Sequence, residues 1–75
     1  MNIKIIAFGQ IAEITGKELM LETTDLDSLK LDLIKKFPEL SAKKIAFAVN
    51  KRLVQNNLIL NKNDVVALMP PYSGG

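Results

Sequence analysis

The sequence contains no cysteine and no histidine. Their absence removes disulfides, thiolate nucleophiles, imidazole general bases and the usual ligands of structural zinc. Neither a GxGxxG stretch nor a Gly-rich Walker sequence is present, so no phosphate-cradling loop can be read from the chain. Aromatic residues are scarce: Phe8, Phe37, Phe47 and Tyr72 are all there are. The basic residues form no dense stripe, with only Lys35-Lys36, Lys43-Lys44 and Lys51-Arg52 adjacent. Scarce stacking groups and scattered cations argue against a nucleic-acid partner. Ten Lys/Arg against eight Asp/Glu, a net charge of +2, describe a solvated surface of mixed sign. The opening apolar run, Ile3 to Phe8, is too short for a signal peptide or a membrane span, and it lacks a small-residue cleavage site. A cytoplasmic protein with no membrane partner is expected.

What is present is apolar and patterned. Forty-eight percent of the 75 residues are hydrophobic, enough for one small domain. A chain of this size buries only about 60% of the surface its unfolded form exposes, so packing alone must hold it. "NIKIIAF" places Ile3, Ile5 and Ala7 on one face and Lys4, Ile6 and Phe8 on the other, which suits a central strand. Gln10 to Thr15 can form a turn or two of helix, closed by Gly16. "KELMLET" alternates cleanly, with Leu19 and Leu21 inward.

The segment from Thr24 to Leu40 changes period. Leu26, Leu29, Leu33, Ile34 and Phe37 recur at helical spacing, Thr24 or Asp25 can cap the start, and Lys35-Lys36 suit the C-terminal end of the dipole. Pro38 ends the helix by excluding the residue before it from the helical region. A third strand follows, with Ile45, Phe47 and Val49 on one face and Ala46 and Ala48 on the other. A turn at Asn50-Lys51-Arg52 then leads to Leu53-Val54. Leu58 to Leu60 is a further short extended segment, Asn61 to Asp64 a polar turn, and Val65 to Met69 a last strand apolar at every position.

Strand, strand, helix, strand, short strand, strand predicts an α+β fold, a mixed sheet packed on one main helix in two layers. The first and last strands would lie side by side at its centre, which is the arrangement of a ubiquitin-like β-grasp. One helix covers one face of a sheet. The apolar far side of the last strand must be closed by loops or left for a partner. The division expected is a β-grasp domain over residues 1–69 and a flexible tail over 70–75.

No pairing of side chains here performs chemistry unaided. Asp25 and Asp27 sit where helix capping uses acids, and Glu13, Glu18 and Glu22 read as solvated. Attention passes to "MPPYSGG". Pro70 and Pro71 have fixed φ and no N–H, so they end the ladder and launch an extended arm. Met69 to Gly75 can reach on the order of 20 Å. Gly74 and Gly75 lack Cβ atoms, so a narrow channel can close around them. The terminal carboxylate, with an ordinary pKa of about 3.5, is ionised and must be activated before a nucleophile can attack it. Two of the three prolines and two of the four glycines lie in these last six residues.

The "PPYSGG" end on an apolar strand, the "IKIIAFGQIAEITG" opening, the capped "DLDSLKLDL" helix and the "AVNKRLV" strand and turn together resemble the small subunits of molybdopterin synthase. These are ubiquitin-like sulfur carriers of molybdenum cofactor biosynthesis. The resemblance implies that an E1-like enzyme uses ATP to adenylate Gly75 and that sulfur transfer makes it a thiocarboxylate. It implies that Gly74, Ser73, Tyr72, Pro71 and Pro70 then enter the large synthase subunit, where sulfur attacks the cyclic pyranopterin precursor. It also implies docking through Phe8, Leu53 and Met69, with Arg52 as a rim charge, and a heterotetramer with two copies of each subunit. No cofactor or metal is expected on this chain itself. Gly-Gly alone is shared with the thiamine-thiazole sulfur carrier and with ubiquitin-like modifiers, which stand as the alternatives, the double proline disfavouring the first. A plain β-grasp interaction module whose end does nothing is the remaining class.

Two positions depart from the pattern. Asn63 stands where a Gly commonly precedes the Asp of the last turn, and Asn tolerates the left-handed conformation that turn would need. Ala12 stands where a basic residue is common, so a rim salt bridge is expected to be missing.

Overall fold

The computed structural model describes residues 2–70. Strand β1, Asn2–Ala7, alternates as read: Ile3 and Ile5 are fully buried and Ala7 nearly so. Gly9–Thr15 forms α1, whose last turn closes with the Gly16 N–H donating to the Ala12 carbonyl at 2.8 Å. Gly16 takes φ of 88°, the left-handed region a C-terminal glycine supplies at no steric cost. Strand β2, Glu18–Glu22, returns antiparallel to β1.

Helix α2 spans Leu26–Lys36 and buries Leu26, Leu29 and Leu33. Of the two candidate caps, Asp25 is the one used: its carboxylate accepts from the Ser28 N–H at 3.2 Å and the Ser28 hydroxyl at 2.8 Å. Those bonds hold the Asp25 carboxyl below the usual carboxylate range, the Ser28 hydroxyl contributing most. Phe37 is the C-cap, as Pro38 dictates, but the chain does not then open into a loop. Pro38–Ala42 winds into a 3-10 turn that buries Leu40.

Strands β3, Ala46–Val49, β4, Arg52–Leu53, and β5, Val65–Met69, complete a five-stranded sheet in the order β2-β1-β5-β3-β4. The first and last strands are adjacent and parallel, and every other pairing is antiparallel. Val66 and Leu68, both fully buried, share the core cluster with Leu26, Leu29 and Leu33 of α2. The α+β, β-grasp reading holds. Among the described residues no helix is long and apolar enough to cross a membrane.

Three local readings are corrected. Ile34 is 42% exposed, because Leu33 occupies the centre of the 26–29–33 stripe and its neighbour is rotated off that face. Leu58 to Leu60 joins no strand of the sheet. It pairs with the lead-in to α2, Leu26 N–H to Leu58 carbonyl and Leu60 N–H to Thr24 carbonyl, both at 2.9 Å. Asn63 is not left-handed: the non-glycine residues with positive φ are Asn50 at 52° and Lys51 at 72°, in the tight β3–β4 turn. The 61–64 turn is closed instead by Asp64, whose carboxylate accepts from the Asn61 N–H at 2.8 Å and whose own N–H donates to the Asn61 carbonyl at 2.9 Å.

Candidate docking face and tail root

Alternation along five strands gives the sheet a second face that no helix covers. Register assembles one row across it: Ile6 of β1 opposite Ala67 of β5, Ala67 opposite Ala48 of β3, and Ala48 opposite Leu53 of β4. Two alanines in the middle of a row bounded by isoleucine and leucine make the sheet low at its centre. The result is an open, mostly apolar groove of about 600 Å³, lined by Ile6, Phe8, Ala48, Leu53, Val65, Ala67 and Met69 among others. Phe8 is 48% exposed and Leu53 70% exposed. Apolar side chains so exposed on one concave face mark a surface suited to an apolar partner, whether protein, membrane or ligand.

Phe8, Leu53 and Met69 thus come together on this groove. Arg52 does not. It is exposed on β4 opposite Val49, and the period of two that turns Leu53 into the groove turns Arg52 away from it. The cation on the groove is its neighbour Lys51, beside Asn50. Asn50 was legible only as a turn residue, yet it ties the groove's far end together. Its amide donates to Asp64 Oδ1 at 2.8 Å and its Oδ1 accepts from the Val65 N–H at 3.0 Å. The Asn61 N–H, with the Asn50 amide second, holds the Asp64 carboxyl below its ordinary value. Ile6, Ala48 and Ala67 were missed as site residues. Their signal lay in the alternation itself: they are the out-of-phase positions of strands whose in-phase residues form the core.

The tail begins at the opposite end of the groove. Phe8 N–H donates to the Leu68 carbonyl at 3.0 Å, carrying the β1–β5 pairing to its last residue. The chain then turns away at Gly9, with φ of 59°, while β5 runs on to Pro70. A Cβ at Gly9 would stand 3.0 Å from Pro70 Cγ, so the missing side chain is what admits the proline ring. Pro70 is therefore held against the start of α1. Pro71, Tyr72, Ser73, Gly74 and Gly75 lie outside the described residues. Among the described residues no group of three or more acidic side chains is placed to hold a metal ion. Among the described residues, the features gathered here are an apolar face and, at its end, Pro70 packed on Gly9.

A family model for the ThiS family matches residues 5–75. A molybdopterin synthase sulfur carrier subunit from Dictyostelium discoideum is 32% identical over 96% of this chain and 94% of its own length. Among solved structures, a protein–protein complex of subunits 1 and 2 of molybdopterin-converting factor from Helicobacter pylori contains a chain that superposes with a TM-score of 0.78. That chain is 29% identical, with all of both chains covered. A candidate subunit 1 of the same factor from Pyrococcus furiosus gives a TM-score of 0.88 over 96% of this chain and 99% of its own, a likeness of fold at 21% identity. With the model matched over nearly its whole length and a close-length relative above 30% identity, this chain belongs to the ThiS family, and molybdopterin synthase sulfur carrier subunits are among its relatives.

Proposed function

We propose that the protein is the sulfur-carrier subunit of a molybdopterin synthase. The observation that carries the proposal is the position of Pro70 at one end of an uncovered apolar groove, pinned to Gly9 and next to Phe8 and Met69. A partner seated on that face receives the tail where the sheet ends. The relative from Dictyostelium is a named sulfur carrier, and the Helicobacter neighbour is one half of a two-subunit complex. Both support a large synthase subunit as that partner; the assembly proposed has two copies of each chain.

The chemistry belongs to the terminal carbon. The Gly75 carboxylate attacks the α-phosphorus of ATP on an E1-like activating enzyme, giving a glycyl adenylate and pyrophosphate. A sulfur donor at the sulfide oxidation level displaces AMP and leaves a thiocarboxylate. Pro70, Pro71, Tyr72, Ser73 and Gly74 then carry that group into the large subunit. There sulfur bonds to a carbon of the pterin precursor as a C–O bond of the precursor breaks, and water cleaves the acyl–sulfur bond to return the Gly75 carboxylate. A dithiolene contains two sulfur atoms, so two loaded tails serve each product. This chain has no histidine or cysteine, and proton transfers fall to partner residues. ATP is consumed by the activating enzyme, and the carrier binds no cofactor. All of these steps take place in the cytoplasm.

Co-expression with the activating enzyme and a sulfur source is expected to raise the intact mass by the difference between one sulfur and one oxygen. Absence of that species refutes the proposal. Deleting Gly75 is expected to abolish sulfuration of the pterin acceptor while leaving the fold and docking unchanged. Loading followed by delivery to a thiazole acceptor, and not to the pterin, would move the protein to the thiamine pathway.

A further inference from the structure

A second hollow, of about 510 Å³, adjoins the groove on the α1 side of Phe8. Ile6, Ala7, Phe8, Gly9 and Ala12 make its apolar lining, and the exposed Glu13 and Lys17 complete its rim. Ile6 and Phe8 line both concavities, so the half-exposed Phe8 ring stands as a ridge between two depressions. Ala12, whose N–H donates to the Phe8 carbonyl at 3.4 Å, is half-buried between the core and the hollow and contributes only a methyl group to its lining.

We infer that this hollow receives one apolar side chain of the subunit that accepts the tail, so that the partner straddles Phe8 with an apolar group on either side. The inference rests on the sulfur-carrier reading and adds a second anchor point to it. Two observations select this occupant. The sulfur-carrier reading puts the reacting carbon at Gly75, five residues beyond Pro70, and five extended residues span at most about 16 Å, so the subunit that accepts it must come close to Pro70. Gly9, which packs on Pro70, is itself part of the hollow's wall, so a partner reaching the tail covers the hollow. A flat surface laid over Phe8 would leave voids on both sides and forfeit the contacts that make such an interface stable. Anchor side chains seated in desolvated pockets carry most of the binding energy of interfaces of this kind.

Ala12→Phe fills the hollow from within, and Ala12→Leu does so with a smaller, strongly helix-forming residue. Affinity for the large subunit is measured by titration calorimetry, thermal melting reports the fold, and intact mass reports thiocarboxylate loading. The expected result is a Kd weakened about tenfold or more for Ala12→Phe, with Ala12→Leu weakened less, both at unchanged melting temperature and unchanged loading. If Ala12→Phe alone melts early, Ala12→Leu decides by the same criterion. Affinities within about twofold of the unaltered protein overturn the inference and leave the carrier reading standing. Loss of loading with unchanged large-subunit affinity overturns it too, by assigning the hollow to the activating enzyme. An unaltered protein that neither loads nor binds the large subunit overturns the carrier reading and the inference together.

Discussion

Replacing Leu53 by alanine should damage docking far more than folding, because most of its side chain is still in water. Leu53 lies on the two-residue strand β4, opposite Ala48 across the groove floor, and is 70% exposed. Full burial of a leucine contributes about 1.5–3 kcal/mol relative to exposure. Some 70% of that, about 1–2 kcal/mol, remains to be gained when a partner covers it. The Leu53→Ala variant should therefore bind the large subunit roughly 5- to 30-fold more weakly. The fraction already buried is worth about 0.5–1 kcal/mol to folding, a fall in melting temperature of only a few degrees. Leu68 on β5 is the internal comparison. It is fully buried in the core cluster, so Leu68→Ala should cost about 2–5 kcal/mol of stability. Calorimetric Kd values below the lower of the two melting temperatures, with melting curves for both variants, supply the test. A Leu53→Ala protein that binds within about twofold of the unaltered one, or melts as early as Leu68→Ala, would refute the assignment of this face to docking.

Lys51 holds φ of 72° in the β3–β4 turn, a conformation that costs an L-residue about 1–2 kcal/mol and glycine almost nothing. Against a glycine entropy cost of about 0.5–1 kcal/mol, Lys51→Gly should gain roughly 0.5 kcal/mol, a rise in melting temperature of about 2–4 °C. A lower melting temperature would contradict the strain argument. The Asp25 and Asp64 carboxyls both have folded-state pKa values below their unfolded ones, from the hydrogen bonds of Ser28 and of Asn61 with Asn50. Their contribution to stability is full above the unfolded value of about 3.9 and is lost as pH falls through the folded values. Urea midpoints should decline below about pH 4, and the double variant Asp25→Asn/Asp64→Asn should decline less steeply. Parallel slopes for the two proteins would refute the assignment.

The sheet was legible because its signals are local and periodic. Ile3 and Ile5 alternate with Asn2 and Lys4, the last strand is a five-residue apolar run, and α2 announces itself by Asp25 at one end and Pro38 at the other. The pairing of Leu58 to Leu60 with the lead-in to α2 was not legible, since three apolar residues carry no information about which distant backbone will satisfy their polar groups. The left-handed residues were misplaced for a related reason. Asn63 and Asn50 both tolerate positive φ, and the choice falls to Asn50 because the two-residue β3–β4 turn demands it, whereas Asp64 closes the other turn without it. At the candidate site, Phe8, Leu53 and Met69 could be named in advance. The alanine floor between them could not, because small residues read as unremarkable until register sets Ala67 beside Ala48.

The parallel pairing of β1 with β5 links the docking face to the tail. Parallel strands end at the same pole, so Phe8, just past the end of β1, and Met69, the last residue of β5, emerge together, with the Phe8 N–H donating to the Leu68 carbonyl. One chain must then turn back and the other can leave. Gly9 turns β1 into α1, and its bare backbone lets Pro70 depart from the middle of the sheet, where neighbours on both sides of β5 fix its position. A tail leaving from an edge strand would start from a point free to fray. Starting from the centre, the position of Pro70 moves only if the fold opens, so under the sulfur-carrier proposal a partner seated on the groove also sets where the terminal carbon can go.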